Sequence, residues 1–241
     1  MRTGYLVFEI RRALRDSKFL VFAVALPVGL FLLLTNVFGV ATRHAAVPYV
    51  MGSLAAFGAF KAALDTGART AVERGAGWQR QLRLTPLTGA GYLAAKASVA
   101  MLVALPPVAG VSLVAALVSG VELPVTGWLQ AVLGIWAGTV PFALLGLLIG
   151  QVASAQGVQT YQGGILLLLS FVGGLFIPVS DFPGALASVA ELLPSYWLAE
   201  IGHGAATGGG RLGQAVAVLA LYTLALGGAV VARYRRDSAR R

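Results

Sequence analysis

Long apolar runs decide what this chain can become. They cover residues 19–40, 47–67, 92–119, 127–153, 161–179 and 212–232. Only the second, with Lys61 and Asp65, and the third, with Lys96, carry charge. Most of the runs reach or exceed the ~20 residues that a helix needs to cross ~30 Å of hydrocarbon. Within lipid a lone segment satisfies its own peptide groups only as a helix, and these runs are too long and unbroken for barrel strands. Composition agrees: 58% of residues are apolar and 11% charged, against about 25% charged in a soluble domain. The expectation is an all-α membrane protein, one domain with six transmembrane helices.

Arg and Lys distribution predicts the orientation. One side would carry Arg2, Arg11, Arg12, Arg15 and Lys18, then Arg69, Arg74, Arg80 and Arg83, then Arg233, Arg235, Arg236, Arg240 and Arg241. The other would carry only Arg43 and Arg211. Both termini and segment 68–91 are therefore expected in the cytoplasm of a bacterial cell, and segment 180–211 outside it. The formal charge of +9, which in a soluble protein would suggest nucleic acid, is explained by this asymmetry. The first run is too long, and its basic leader too extended, for a signal peptide. Three spans per half would require an inverted repeat, but the halves show no convincing residue-level similarity. Cysteine is absent, which excludes disulfides and thiolate metal sites.

Residues 1–18 read as an amphipathic arm. Leu6, Ile10, Ala13 and Leu14 recur at the spacing of one helical face, while Glu9, Arg12, Arg15 and Asp16 fall largely elsewhere and Arg11 adds to the charge. Such a helix lies in the headgroup plane with its arginines toward anionic lipid. It serves either as an anchor alone or also as a contact for a cytoplasmic partner.

Segment 68–91 is the polar exception in the middle of the chain. Arg69, Glu73 and Arg80 recur at helical intervals, and Arg69 can pair with Glu73 four residues on. Gly75 and Gly77 interrupt the helix, "WQRQLRLTPL" resumes it, and Pro86 stops it. A plain basic loop needs only scattered cations. A short helix that sets Trp78, Leu82 and Leu84 among arginines is better suited to docking.

The stretch "ERGAGWQRQLRLTPLTGAGYLAAK" resembles the central cytoplasmic segment of type-2 ATP-binding-cassette (ABC-2) exporter permeases. Glu73, Arg74, Gly77, Leu82, Thr85, Pro86, Leu87, Tyr92, Leu93 and Lys96 match its pattern. The stretch "FVGGLFIPVSDFPGALASVAELLPSYWLAE" resembles the same family's external segment, through Gly173, Gly174, Phe176, Pro178, Phe182, Pro183, Leu193, Pro194 and Trp197. With the arm and the six runs, the likeness covers essentially the whole chain. It implies a permease subunit of an exporter, with two ATPase subunits as partners and a second permease chain, giving a homodimer. It implies that segment 68–91 is a coupling helix seated on the ATPase, carried by Arg69, Glu73, Arg74, Gly77, Trp78, Arg80, Leu82, Thr85 and Pro86. It also implies that residues 180–211 dip back as a cap. ATP and its magnesium ion would belong to the partner, and this chain would bind no cofactor. No Gly-Lys dipeptide occurs in the sequence, so it holds no P-loop phosphate cradle. Glu73 and Arg74 would contact either the ATPase or the arm; alanine at both is expected to abolish export while the chain still folds.

Lys61 and Asp65 share one face near the cytoplasmic end of the second run. They form either a local pair or the inner mouth of a pathway. Pro106, Pro107 and Pro141 are expected to bend their helices. Gly134 with Gly138, and Gly146 with Gly150, have the spacing of close helix contacts; Gly163, Gly164, Gly227 and Gly228 add to the small-residue content. Tyr196 and Trp197 suit an interfacial belt. Both histidines, His44 and His203, fall outside the runs, and no metal-ligand cluster or carboxylate pair lies within them, which disfavours an intramembrane enzyme. An apolar pathway favours a lipophilic cargo such as a drug, an antibiotic or a lipid. The other reading is a membrane scaffold or sensor subunit that transports nothing.

Overall fold

A computed structural model describes residues 3–36, 46–77 and 88–239. Among them there is helix and connecting turn but no strand. The helices are α1 Thr3–Arg15, α2 Ser17–Asn36, α3 Ala46–Gly75, α4 Gly89–Leu117, α5 Val125–Val152, α6 Val158–Val172, α7 Gly184–Leu192, α8 Pro194–Thr207 and α9 Leu212–Ala239. Five of these, α2, α3, α4, α5 and α9, are long and apolar enough to cross a membrane.

The fifth predicted run is the exception. Helix α6 stops at Val172, short of the expected end at residue 179, because Gly174 adopts φ +79° and turns the chain. Its 15 residues span about 22 Å at the usual helical rise, less than the hydrocarbon thickness.

Helix α3 is the axis of the bundle. Of its most apolar stretch 78% is buried, against 22% for α2 and 17% for α9. It packs against α2, α4, α5, α6 and α8. Small residues make this possible. A Cβ on Gly67 would collide with the Gly146 carbonyl, and one on Gly146 would stand 2.6 Å from the Leu64 carbonyl oxygen. Gly150 meets Gly67 in the same way. Toward α8, a Cβ on Gly52 would lie 2.7 Å from the Gly202 backbone. By contrast, Gly163, Gly164 and Gly228 have no neighbour for an added methyl group, so their sequence pattern does not mark a helix contact.

The prolines behave differently from one another. Pro106 and Pro107 lie inside an α4 that runs unbroken from Gly89 to Leu117. Pro107 and Pro27 of α2 both pack onto Gly58 of α3. The Met101 carbonyl, one residue before the carbonyl that Pro106 leaves without its helical donor, accepts from Trp136 Nε1 at 2.8 Å and ties α4 to α5. The irregularity is concentrated in α5. It has a π-helical turn over Gln130–Gly134 and a break at Thr139, just before Pro141. Gln130 Nε2 donates to the Ile201 carbonyl at 3.0 Å, tying this loosened turn to α8.

Candidate functional site: the clamped roots of the central segment

The arm α1 lies across the end of α3 and the beginning of α4, with a carboxylate on its inward face. Glu9 is 4% exposed and Ala13 is buried, with Tyr5, Leu6 and Ile10 partly covered. Leu14, expected on the buried face, is 52% exposed. The sequence pattern placed Leu6, Ile10 and Ala13 on the covered face as the structure has them, and misplaced Leu14 and Glu9, whose carboxylate turns inward to a buried cation.

That cation is Lys96, 2% exposed. Its Nζ lies 2.8 Å from Glu9 Oε2 and 2.7 Å from Glu73 Oε2. Arg12 closes the group with a 2.6 Å bond to Glu73 Oε1. Glu9, Glu73 and Lys96 are buried, and Arg12, half exposed, balances the second carboxylate from the surface. Burial is tolerable only because each charge has a counter-ion; removing one partner leaves the others uncompensated. Burial, and next the Glu9 carboxylate, push the Tyr5 phenol up in pKa. Tyr5 and Tyr234 stack loosely on either side of Tyr92, with ring centroids 6.3 and 6.0 Å away.

A second bridge flanks the first. Arg69 donates to Asp16 at 2.9 Å and lies 4.3 Å from the centre of the Phe19 ring. Asp16 also accepts from the Phe19 amide at 3.2 Å, capping the start of α2. Arg69 and Glu73 therefore do not pair with each other; each reaches a different part of the arm. Arg74 turns the opposite way and donates to the Gln151 and Ala153 carbonyls at the end of α5. Gly77 follows with φ +74°, a conformation a side chain would strain. At the far root, Thr88 Oγ1 accepts from the Gly91 amide at 3.1 Å and caps α4. The other expected coupling residues, Trp78, Arg80, Leu82, Thr85 and Pro86, lie outside the described residues. Of the arm residues, Glu9 and Arg12 join the cluster, while Arg11 and Arg15 face outward.

Lys61 and Asp65 pair with each other. Lys96 is the residue whose weight the sequence did not reveal. In sequence it matches the pattern that follows the central segment without a stated role; only the Glu9 and Glu73 carboxylates, from distant parts of the chain, show it as a centre.

At the other end of α3 lies a cavity of about 630 Å³. It is bounded by Tyr49, the Gly173–Gly174 turn, Pro178, Tyr196, Glu200 and His203, among others. His203 stacks on Tyr49, with ring centroids 3.6 Å apart, and bonds Ser53 Oγ at 2.8 Å. Burial lowers its pKa to about 3. Phe176 packs on Phe57 and Phe171. Phe182 and Pro183 lead into α7, and Pro194 opens α8. Trp197 Nε1 donates to the Glu191 carbonyl at 2.7 Å, and Arg211 bridges Glu191 and the Tyr196 hydroxyl. Among the described residues no group of side chains is arranged to hold a metal ion.

The family described as ABC-2 type transporter matches residues 5–205. The chain is also 28% identical over 193 residues to the "Putative transport permease YvfS" of Bacillus subtilis (strain 168), covering 79% of each chain.

Proposed function

Because the chain belongs to the ABC-2 type transporter family, we propose that it is the membrane-spanning permease of an ATP-driven exporter that moves a lipophilic molecule out of the cell. In this reading two copies of a separate ATPase supply the energy and hold ATP and magnesium, and two copies of the permease form the pathway. The end with α1, Glu73 and Lys96 is cytoplasmic, and α7 and α8 cap the external end. The six-span arrangement is completed by α6 together with the turn that follows it, up to residue 179.

The observation that carries this reading is the clamping of the central segment at both roots. Residues 78–87 leave α3 just after Glu73 and Arg74 and re-enter α4 just before Lys96. Glu73 and Lys96 are bonded to each other and to the arm. A displacement imposed on residues 78–87 by a nucleotide-driven partner is therefore passed to α1, α3 and α4 together, with little slack to absorb it. A groove of about 420 Å³ between α5, α8 and α9, walled by residues such as Val140, Ile201, Val216 and Leu219, is consistent with a lipophilic cargo.

The test is reconstitution of the permease with its ATPase in vesicles, following ATP-dependent extrusion of a lipophilic dye. Trp78→Ala combined with Leu82→Ala is expected to leave the folded permease in the membrane, weaken co-purification of the ATPase and abolish extrusion. Undiminished extrusion by that variant counts against the coupling role. A native pair that hydrolyses ATP yet extrudes nothing across a panel of dyes, lipids and antibiotics points to the scaffold instead.

A further inference from the structure

A cavity of about 650 Å³ opens between the arm, the α1–α2 corner and the end of α3. It is lined by Phe8, Arg11, Arg12, Arg15, Asp16 and Arg69: four guanidinium groups, one carboxylate and one aromatic ring. Two of the cations are neutralised where they stand, Arg12 by Glu73 and Arg69 by Asp16. Arg11 and Arg15 have no carboxylate partner among the described residues. The cavity therefore keeps an excess of positive charge, held by two guanidinium groups one helical turn apart on α1.

Its depth in the bilayer follows from α2. That helix begins at Ser17, directly after Asp16, and its 20 residues reach about 30 Å, the thickness of the hydrocarbon layer. The bridge from Arg69 to Asp16 fixes the floor of the cavity at the edge of that layer, where phosphates lie. Val7, Phe8 and Leu14 of the same arm are about half exposed, giving the site an apolar margin against acyl chains.

We propose that this cavity is a binding site for the phosphate headgroup of an anionic phospholipid, with Arg11 and Arg15 as the principal ligands, Arg12 and Arg69 as fixed walls, and Phe8 against the glycerol and upper acyl region. Guanidinium groups suit phosphate through paired N–H donors, and basic pockets on the cytoplasmic side of transmembrane bundles favour such headgroups. Arg12 belongs to both the cavity and the Glu73–Lys96 cluster, so a lipid seated here contacts the same charge network that clamps the central segment. The inference rests on the geometry of the arm and is independent of what the protein carries.

The test uses the full chain in nanodiscs of phosphatidylcholine containing a small fraction of phosphatidylglycerol or cardiolipin, with bound lipid counted by native mass spectrometry after gentle release. The wild type is expected to retain anionic lipid selectively. Arg11→Gln with Arg15→Gln, both at exposed positions, is expected to bind it roughly 30-fold more weakly. Arg211→Gln, at the other end of the bundle, controls for loss of an arginine away from the arm and is expected to match the wild type. Equal retention by the arm variant and the wild type overturns the proposal. So does displacement of the lipid by millimolar inorganic phosphate alone, which would make the occupant a soluble anion. Absence of anionic-lipid enrichment in the wild type also overturns it, and would assign the arginines to an acidic protein surface.

Discussion

Lys96 and Glu73, 23 residues apart in sequence, meet at 2.7 Å where the lysine is 2% exposed. Their contact joins α3 to α4 near the helix ends that the central segment connects. Lys96→Met leaves Glu9 and Glu73 facing each other without their shared cation. The expected loss is about 3–5 kcal/mol of stability, seen as a lower unfolding midpoint in detergent or as loss of membrane-inserted protein. Adding Glu9→Gln and Glu73→Gln to Lys96→Met should recover part of that loss. No recovery would mean that the lysine contributes by packing rather than by charge.

Arg74 carries a separate prediction. Its bonds to the Gln151 and Ala153 carbonyls are charge-assisted links between α3 and the end of α5. Arg74→Ala should cost about 1.5–3 kcal/mol and speed amide exchange in the last turn of α5. The expectation that a joint Glu73 and Arg74 alanine variant still folds does not suit this geometry, since Glu73 is a buried counter-ion. Transport effects of that variant have to be separated from misfolding by measuring how much folded chain remains.

Gly67→Ala places a methyl group against the Gly146 carbonyl, with backbone on both sides and no flexible side chain to give way. The expected cost is at least the 1–3 kcal/mol typical of overpacking. Gly163→Ala, which meets open space, should be neutral or slightly stabilising by helix propensity. Thermal unfolding of the two variants side by side tests the distinction.

His203 predicts a pH dependence. Its folded pKa of about 3 lies below the ordinary value near 6.5, so the unfolded chain binds the extra proton first. The contribution of neutral His203 is complete above pH 6.5 and declines as pH falls from there toward 3. His203→Gln should flatten the fall in unfolding midpoint between pH 7 and pH 5 relative to the wild type. Parallel curves would mean that the histidine keeps its charge equilibrium unchanged on folding.

Much of the architecture was legible because lipid leaves few choices: apolar length alone located α2, α4 and α5 to within a few residues and the start of α9, whose basic last turns run on to Ala239. The length of α6 was not legible, since "GGLF" reads as apolar whether helical or turned, and only the positive φ of Gly174 separates the cases. The arm's inward face was misread for a related reason. Periodicity sorts apolar from charged side chains, but Glu9 turns inward toward Lys96, a residue 87 positions away. Glycine spacing gave equal weight to Gly146 with Gly150 and to Gly163 with Gly164; only the first pair has another backbone beside it. Long-range counter-ions and close backbone approaches are properties of the packed bundle, so a local pattern holds no trace of them.

The contact of Gly67 with Gly146 and Gly150 has a mechanical consequence. With backbone rather than side chains at this contact, there are no rotamers to repack, and a shift that presses α3 toward α5 there is resisted by backbone atoms. At this contact α3 and the second half of α5 travel together, and the freedom to tilt falls to α2 and α9, which bury the least of their apolar length.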